Sequence, residues 1–164
     1  MKKFIVNTAI FLLIGVIAAY FIAFVMGYHP YITISGSMEP VIHTGSVCYV
    51  DTNVEFDDVK KGDIVAFQTV DGAAVTHRAI TVTEDAIETK GDANDVSDGY
   101  TTTRDNYLGV TIFSIPYLGY GVKYLQQPVG KIMVGVVILA IIAFMVIDAI
   151  EEKRKKKEET AATE

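Results

Sequence analysis

A single cysteine, Cys48, excludes any disulfide within the chain, so a disulfide scaffold is out, although an oxidising compartment is not. No HExxH, CxxC or Walker pattern occurs, so the commonest sequence signals for zinc, thiol-redox and nucleotide chemistry are missing. The middle of the chain, from Met26 to Pro128, is short of positive charge. Its cations, Lys60, Lys61, Arg78, Lys90, Arg104 and Lys123, are outnumbered by acids that run from Glu39 to Asp105. With no basic stripe, nucleic acid is not an expected partner. That middle also lacks an internal repeat and any long apolar stripe of 3.6-residue period, which leaves strands as the economical reading.

What the chain does have is apolar length at both ends. Hydrophobic residues make up 51% of 164, and the excess falls in two runs. From Phe4 to Met26 there is no charge, and only Asn7 and Thr8 are clearly polar. A helix needs roughly 20 apolar residues to cross a bilayer core, and this run suffices. A cleavable signal peptide is the competing reading, since Lys2 and Lys3 form a basic start and Ala18, Ala19 and Ala23 are small. The run exceeds the roughly 7–15 residues of such a segment's apolar region, which favours an uncleaved anchor. The second run opens at Pro128, a residue suited to a first helical turn, with Lys131 near enough to that end to reach the interface. It is followed by Asp148, Glu151, Glu152 and the basic stretch Lys153–Lys157. Basic flanks mark the cytoplasmic side, so both termini are expected inside and the middle outside. The expected organisation is a cytoplasmic terminus at 1–3, a transmembrane helix at 4–26, an extracytoplasmic domain at 27–127, a second transmembrane helix at 128–148 and a charged cytoplasmic tail at 149–164.

Within the middle domain Ser46–Val50 and Asp63–Val70 are short, β-branched and aromatic. Asp71-Gly72 separates the second of these from Ala73–Val82, a strong hairpin signal. A further strand is expected over Ala86–Lys90. The fold class expected is mainly β: a small sheet or barrel-like domain between two membrane helices.

The residues able to do chemistry are few. The string SGSMEP, Ser35 to Pro40, offers serines on either side of a glycine; by composition alone a polar turn following a helix is the better reading. A serine hydroxyl attacks only when a base takes its proton. The chain has 3 histidines. His29 precedes Pro30 at the end of the first apolar run, and His43 lies in a turn with Thr44 and Gly45. His77 instead sits on the second strand of the expected hairpin, within VTHRAI, where a structural histidine is the alternative. An acid to orient an imidazole would come from GDANDVSD, which supplies Asp92, Asp95 and Asp98. That stretch is no EF-hand loop, because Val96 and Ser97 stand where an oxygen ligand and a glycine are needed.

Taken in order, SGSMEP, KGDIVAF (Lys61–Phe67), VTHRAI and GDANDVSD resemble the blocks of type I signal peptidases. Bacterial-type members carry lysine where this chain has His77. The histidine is similar to the endoplasmic-reticulum and archaeal type, a Ser-His-Asp subgroup also found in some Gram-positive bacteria. The resemblance implies Ser37 as nucleophile, His77 as general base, Asp98 as the acid that orients it and Asp92 in support. It also implies Ser35 and the Ser37 N–H as oxyanion donors, and Thr33, Ile34, Ile42 and Val75 as pocket walls. No metal and no cofactor is implied. The fold implied is a largely β catalytic domain at a membrane surface. The activity implied is removal of signal peptides from secretory preproteins after small residues at the −3 and −1 positions. The preprotein signal peptides, the lipid bilayer and the secretion translocon are the partners that follow. Endoplasmic-reticulum homologues usually lack a C-terminal anchor, so the second apolar run favours a plasma membrane. Two rival readings remain: a non-catalytic membrane-anchored β-domain that binds secreted partners, and a sortase-like transpeptidase using Cys48. The latter lacks a threonine-rich lead-in, and Cys48 lies in an apolar run that reads as packing.

Overall fold

Alternating β-branched and aromatic residues form most of the elements between the apolar runs. The computed structural model describes residues 2–161. Met1 and residues 162–164, parts of the expected N-terminal segment and tail, lie outside the described residues. Helix α1 spans Lys2–Val25, followed by strands β1 (Tyr28–Ile32), β2 (Val47–Asp51), β3 (Ile64–Gln68), β4 (Ala74–Val82), β5 (Ile87–Lys90), β6 (Thr101–Thr102) and β7 (Tyr107–Ile115). Helices α2 (Leu118–Gln126) and α3 (Pro128–Ala161) complete the chain, and a 3-10 turn occupies Phe56–Asp58. The seven strands make one antiparallel sheet in the order β1-β2-β7-β3-β4-β5-β6. The mainly β expectation is met, with strands at each expected place. Three strands and α2 come in addition. Strand β1 carries Pro30, which lacks a donor N–H and is tolerated because β1 ends the sheet.

The chain forms one unit up to Tyr120 and a second from Gly121 onward. In the first, Val6–Val25 of α1 is long and apolar enough to cross a membrane, and in the second so is Pro128–Glu151 of α3. Large side chains such as Phe11, Ile17 and Phe21 on α1, and Ile132, Val136 and Leu139 on α3, are exposed. A helix apolar all round suits a lipid surrounding better than water. The junction of α1 with the sheet is tightly bonded: Asn53 Nδ2 donates to the Met26 carbonyl at 2.7 Å. The Gly27 carbonyl accepts from Thr52 N at 2.9 Å and from its hydroxyl at 3.0 Å.

The β3–β4 hairpin has a three-residue loop, Val70 to Gly72. Thr69 N donates to Ala73 O and Gly72 N to Thr69 O, each at 2.8 Å, and Gly72 has φ +83°. This is the turn-plus-bulge geometry favoured in such loops. The register then sets Val65 opposite His77 and Phe67 opposite Val75. Two apolar clusters hold the sheet. Phe56, Val59, Val65, Phe67, Ala79 and Ile87 form the larger; Met38, Ile42 and Cys48 form the smaller, against Ile64.

Tyr107 packs its ring edge-on to Phe56 and donates its hydroxyl to the Val54 carbonyl at 2.9 Å. Burial, then the charges of Asp63, Asp51 and Asp58, pushes its phenol up to about 12. The unfolded chain gives up that proton near the ordinary value of about 10. The folded form therefore holds the proton more tightly, and this contribution is full below pH 10 and lost as pH rises towards 12. In urea unfolding, Tyr107→Phe should be less stable than wild type near neutrality by about 0.5–1.5 kcal/mol, the worth of the lost hydrogen bond. It should also lose less stability than wild type between pH 10 and 12.

Candidate active site

The segment that carries Ser37 leaves β1 and closes on itself. Thr33 N donates to Ser46 O at 2.9 Å, and Gly45 N to Thr33 O at 2.8 Å. Inside this loop Glu39 N bonds Gly36 O and Ile42 N bonds Met38 O. Met38 is 1% exposed, so the residue next to Ser37 is locked in the core while Ser37 itself stays half-buried. The Glu39 carboxylate braces the far side by accepting from Thr44 N and Oγ1. The backbone N–H of Thr44 and then its hydroxyl hold that carboxyl below the usual range.

His77 points inward from β4 and is 7% exposed, with the Phe67 ring 6.2 Å away and tilted edge-on. Its Nε2 lies 2.9 Å from Ser37 Oγ and its Nδ1 2.7 Å from Asp98 Oδ2. A carboxylate only accepts, so Nδ1 carries the proton and Nε2 is left to accept from the serine hydroxyl. Both side chains of the His77–Asp98 pair are nearly dry, 8% and 4% exposed. The three residues named in the sequence as nucleophile, base and orienting acid thus stand within hydrogen-bonding distance in series. The arrangement can pass a proton from a hydroxyl to an imidazole and face the resulting charge with a carboxylate.

Asp92 stands apart from this line. Arg78 donates Nε to Asp92 Oδ1 at 2.7 Å and Nη2 to Oδ2 at 2.6 Å, while its Nη1 reaches Gly62 O at 2.7 Å. Planar forks of this kind fix geometry as well as charge. Arg78 is a residue the sequence reading left without a role; its only signal is its place beside His77, where a strand turns it to the opposite face. The loop between Asp92 and Asp98 also grips the backbone of Ser37: Ala93 N donates to Ser37 O at 2.9 Å. Gly91 passes so close that an added Cβ would lie 2.5 Å from the same oxygen.

Ser35 Oγ is 3.2 Å from Ser37 Oγ. A cleft of about 320 Å³ opens at Ser37 and His77, with Thr33 and Ile34 on one wall and Val75 on the other. Tyr31 and Tyr100, unanticipated in the sequence, also line it. Ile42, expected as a wall, is 2% exposed and packs with Met38 and Cys48 in the core. The turn that carries Ser37 sends Ile42 inward, so it is a core residue and does not line the cleft. Cys48 is fully buried, 3.2 Å from Thr33 Oγ1, and burial pushes its thiol up. A thiol so placed is poorly suited to attack. His43 stacks on Tyr117 and His29 packs on Phe24, each away from the cleft. Among the described residues no group of three or more His, Cys, Asp or Glu is placed to hold a metal ion.

Residues 4–108 match the family described as signal peptidase, peptidase S26. The chain is 34% identical over 97 residues to signal peptidase I W of Bacillus subtilis (strain 168), a match covering 56% of this chain and 51% of that protein. It is 39% identical over 74 residues to the signal peptidase complex catalytic subunit SEC11C of Homo sapiens and of Mus musculus, covering 41% of this chain and 38% of each. The chain thus spans about half the length, or less, of these curated relatives.

Gly91→Ala tests the close approach of the loop to the Ser37 backbone. A methyl at 2.5 Å from Ser37 O must push one of them away, and the cost should be about 1–3 kcal/mol, as for overpacking elsewhere. Chemical denaturation that shows the variant as stable as wild type would mean the loop yields freely.

Proposed function

Because the chain belongs to the signal peptidase family, peptidase S26, we propose that it is a membrane-anchored serine endopeptidase that removes signal peptides from secretory preproteins after small residues at the −3 and −1 positions. The observation that carries this reading is the series of distances from Ser37 Oγ to His77 Nε2, 2.9 Å, and from His77 Nδ1 to Asp98 Oδ2, 2.7 Å.

In this reading Ser37 Oγ attacks the scissile carbonyl carbon as its proton passes to His77 Nε2. The carbonyl electrons move onto oxygen, which takes hydrogen bonds from the Ser37 N–H and the Ser35 hydroxyl. Asp98 faces the imidazolium at Nδ1. The proton on Nε2 then goes to the departing amine as the C–N bond breaks, leaving an ester on Ser37. Water, deprotonated by the same imidazole, attacks that ester; as the C–O bond breaks the proton returns from Nε2 to Ser37 Oγ, and the signal peptide leaves with a new carboxylate. Asp92, through Arg78, supports the loop that carries Asp98.

The substrate lies extended between the Thr33–Ser35 segment and the start of β4. Strand β5 pairs with β4 only from Arg78 onward, so among the described residues Ala74–His77 keep an edge with no strand partner. Backbone pairing at such an edge sets register, and Thr33, Ile34 and Val75 make the shallow pockets for small side chains. Helices α1 and α3 are the membrane anchors, and the basic residues Lys2, Lys3, Lys153 and Arg154 keep both termini in the cytoplasm of a plasma-membrane protein. The catalytic domain then faces the outer side, where the bilayer holds enzyme and preprotein together beside the secretion translocon.

Purified full-length chain in lipid vesicles, given a preprotein, should release the signal peptide at one bond fixed by product mass. Ser37→Ala and His77→Ala should give no product while remaining folded. Asp98→Asn should lower kcat about 10⁴-fold, and Ser35→Ala about 10²–10³-fold. Continued cleavage by the Ser37→Ala protein would refute the assignment.

A further inference from the structure

Asp98 Oδ2 stands within hydrogen-bonding distance of a second side chain besides His77. Thr89 Oγ1 lies 2.5 Å from that oxygen, against 2.7 Å for His77 Nδ1. Since a carboxylate only accepts, the threonine hydroxyl is the donor. Thr89 sits on β5 opposite Ala79 and is fully buried, while Ala79 is 1% exposed. The same residue also holds Asp98 by its main chain, since Asp98 N donates to Thr89 O at 3.0 Å. Asp98 therefore reaches His77 from the end of a loop, but a regular strand fixes both its backbone and its carboxylate.

We propose that Thr89 is a positioning residue that clamps Asp98 for His77, an inference that rests on the peptidase reading above. Two donors meeting on one oxygen set the rotation of the carboxylate about its Cβ–Cγ bond. With Oδ2 fixed in this way, Nδ1–H has one acceptor position and the ring keeps Nε2 on Ser37. The site is dry, so water is a poor substitute for a missing hydroxyl, and its loss leaves a buried charged oxygen short of a donor. Thr89 itself does not line the cleft, and it reaches the site only through Asp98. Its loss should change turnover and leave substrate binding alone.

The test uses the full-length chain in lipid vesicles with a preprotein substrate, and compares Thr89→Val, which keeps shape and removes the hydroxyl, with Thr89→Ser, which keeps the hydroxyl and removes a methyl. Thr89→Val should lower kcat about 10–100-fold, the range expected for a lost hydrogen bond to a charged group, with KM within about twofold of wild type. Thr89→Ser should stay within about threefold of wild-type kcat, because the donor is retained. In an Asp98→Asn background Thr89→Val should add little further loss, since contacting residues acting as one unit are not additive. If Thr89→Ser falls as far as Thr89→Val, the methyl matters and not the hydroxyl, and the proposal is overturned; this comparison holds even if the valine protein folds poorly. Equal kcat for wild type and Thr89→Val overturns it as well and leaves the peptidase reading standing. Wild-type protein that cuts no preprotein overturns both.

Discussion

Ala93 N–H bonded to the Ser37 carbonyl at 2.9 Å joins parts of the chain that have no local reason to meet. The loop after β5 makes this bond at one end and delivers Asp98 to His77 at the other. Ser37 and His77 lie 40 residues apart and His77 and Asp98 lie 21 apart. Local propensity cannot bridge such separations. The register of β3 with β4 and of β4 with β5 brings them together, and the loop then sets the last few ångströms. A small sheet can thus hold a hydroxyl, an imidazole and a carboxylate in line, because each is attached to backbone that is itself hydrogen-bonded.

Strand alternation divides the labour between the two acids. His77 and Arg78 are neighbours on β4 and so point to opposite faces. Each face receives one carboxylate from the same loop: Asp98 goes to the imidazole and Asp92 to the guanidinium. The fork of Arg78 on Asp92 and Gly62 ties the loop's first half to the turn before β3. The loop is therefore fastened near both ends, which limits how far Asp98 can drift from the ring.

Much of this was legible in the residues, and the rest was hidden for definite reasons. The apolar runs, β2 and the β3–β4 hairpin announce themselves by composition and by Asp71-Gly72. Strand β1 does not, because His29 and Pro30 follow directly on an apolar run and read as its flank. Strand β7 lies inside the sheet between β2 and β3, but these partners are far away in sequence, and that pairing leaves no local mark. Helix α2 is short and glycine-rich at its start, so it reads as a turn. At the site, the ordered motifs single out Ser37 and His77. Composition gives Asp92, Asp95 and Asp98 equal standing; the motif resemblance picks out Asp98 and Asp92, and the path of the loop carries one to His77 and the other to Arg78. Ile42 shows the converse difficulty: four residues after Met38 in a tight turn, it follows that residue into the core. Thr89 and Gly91 have no chemical signature, and their importance comes from what stands opposite.

The bonds at the end of α1 bear on how force travels. Asn53 and Thr52, just past β2, hold the carbonyls of Met26 and Gly27. Strand β2 pairs with β1, and the segment bearing Ser37 leaves from the end of β1. A helix fastened in this way behaves as a lever rather than a leash: tilting it strains the sheet directly, and the segment carrying Ser37 shares in that strain.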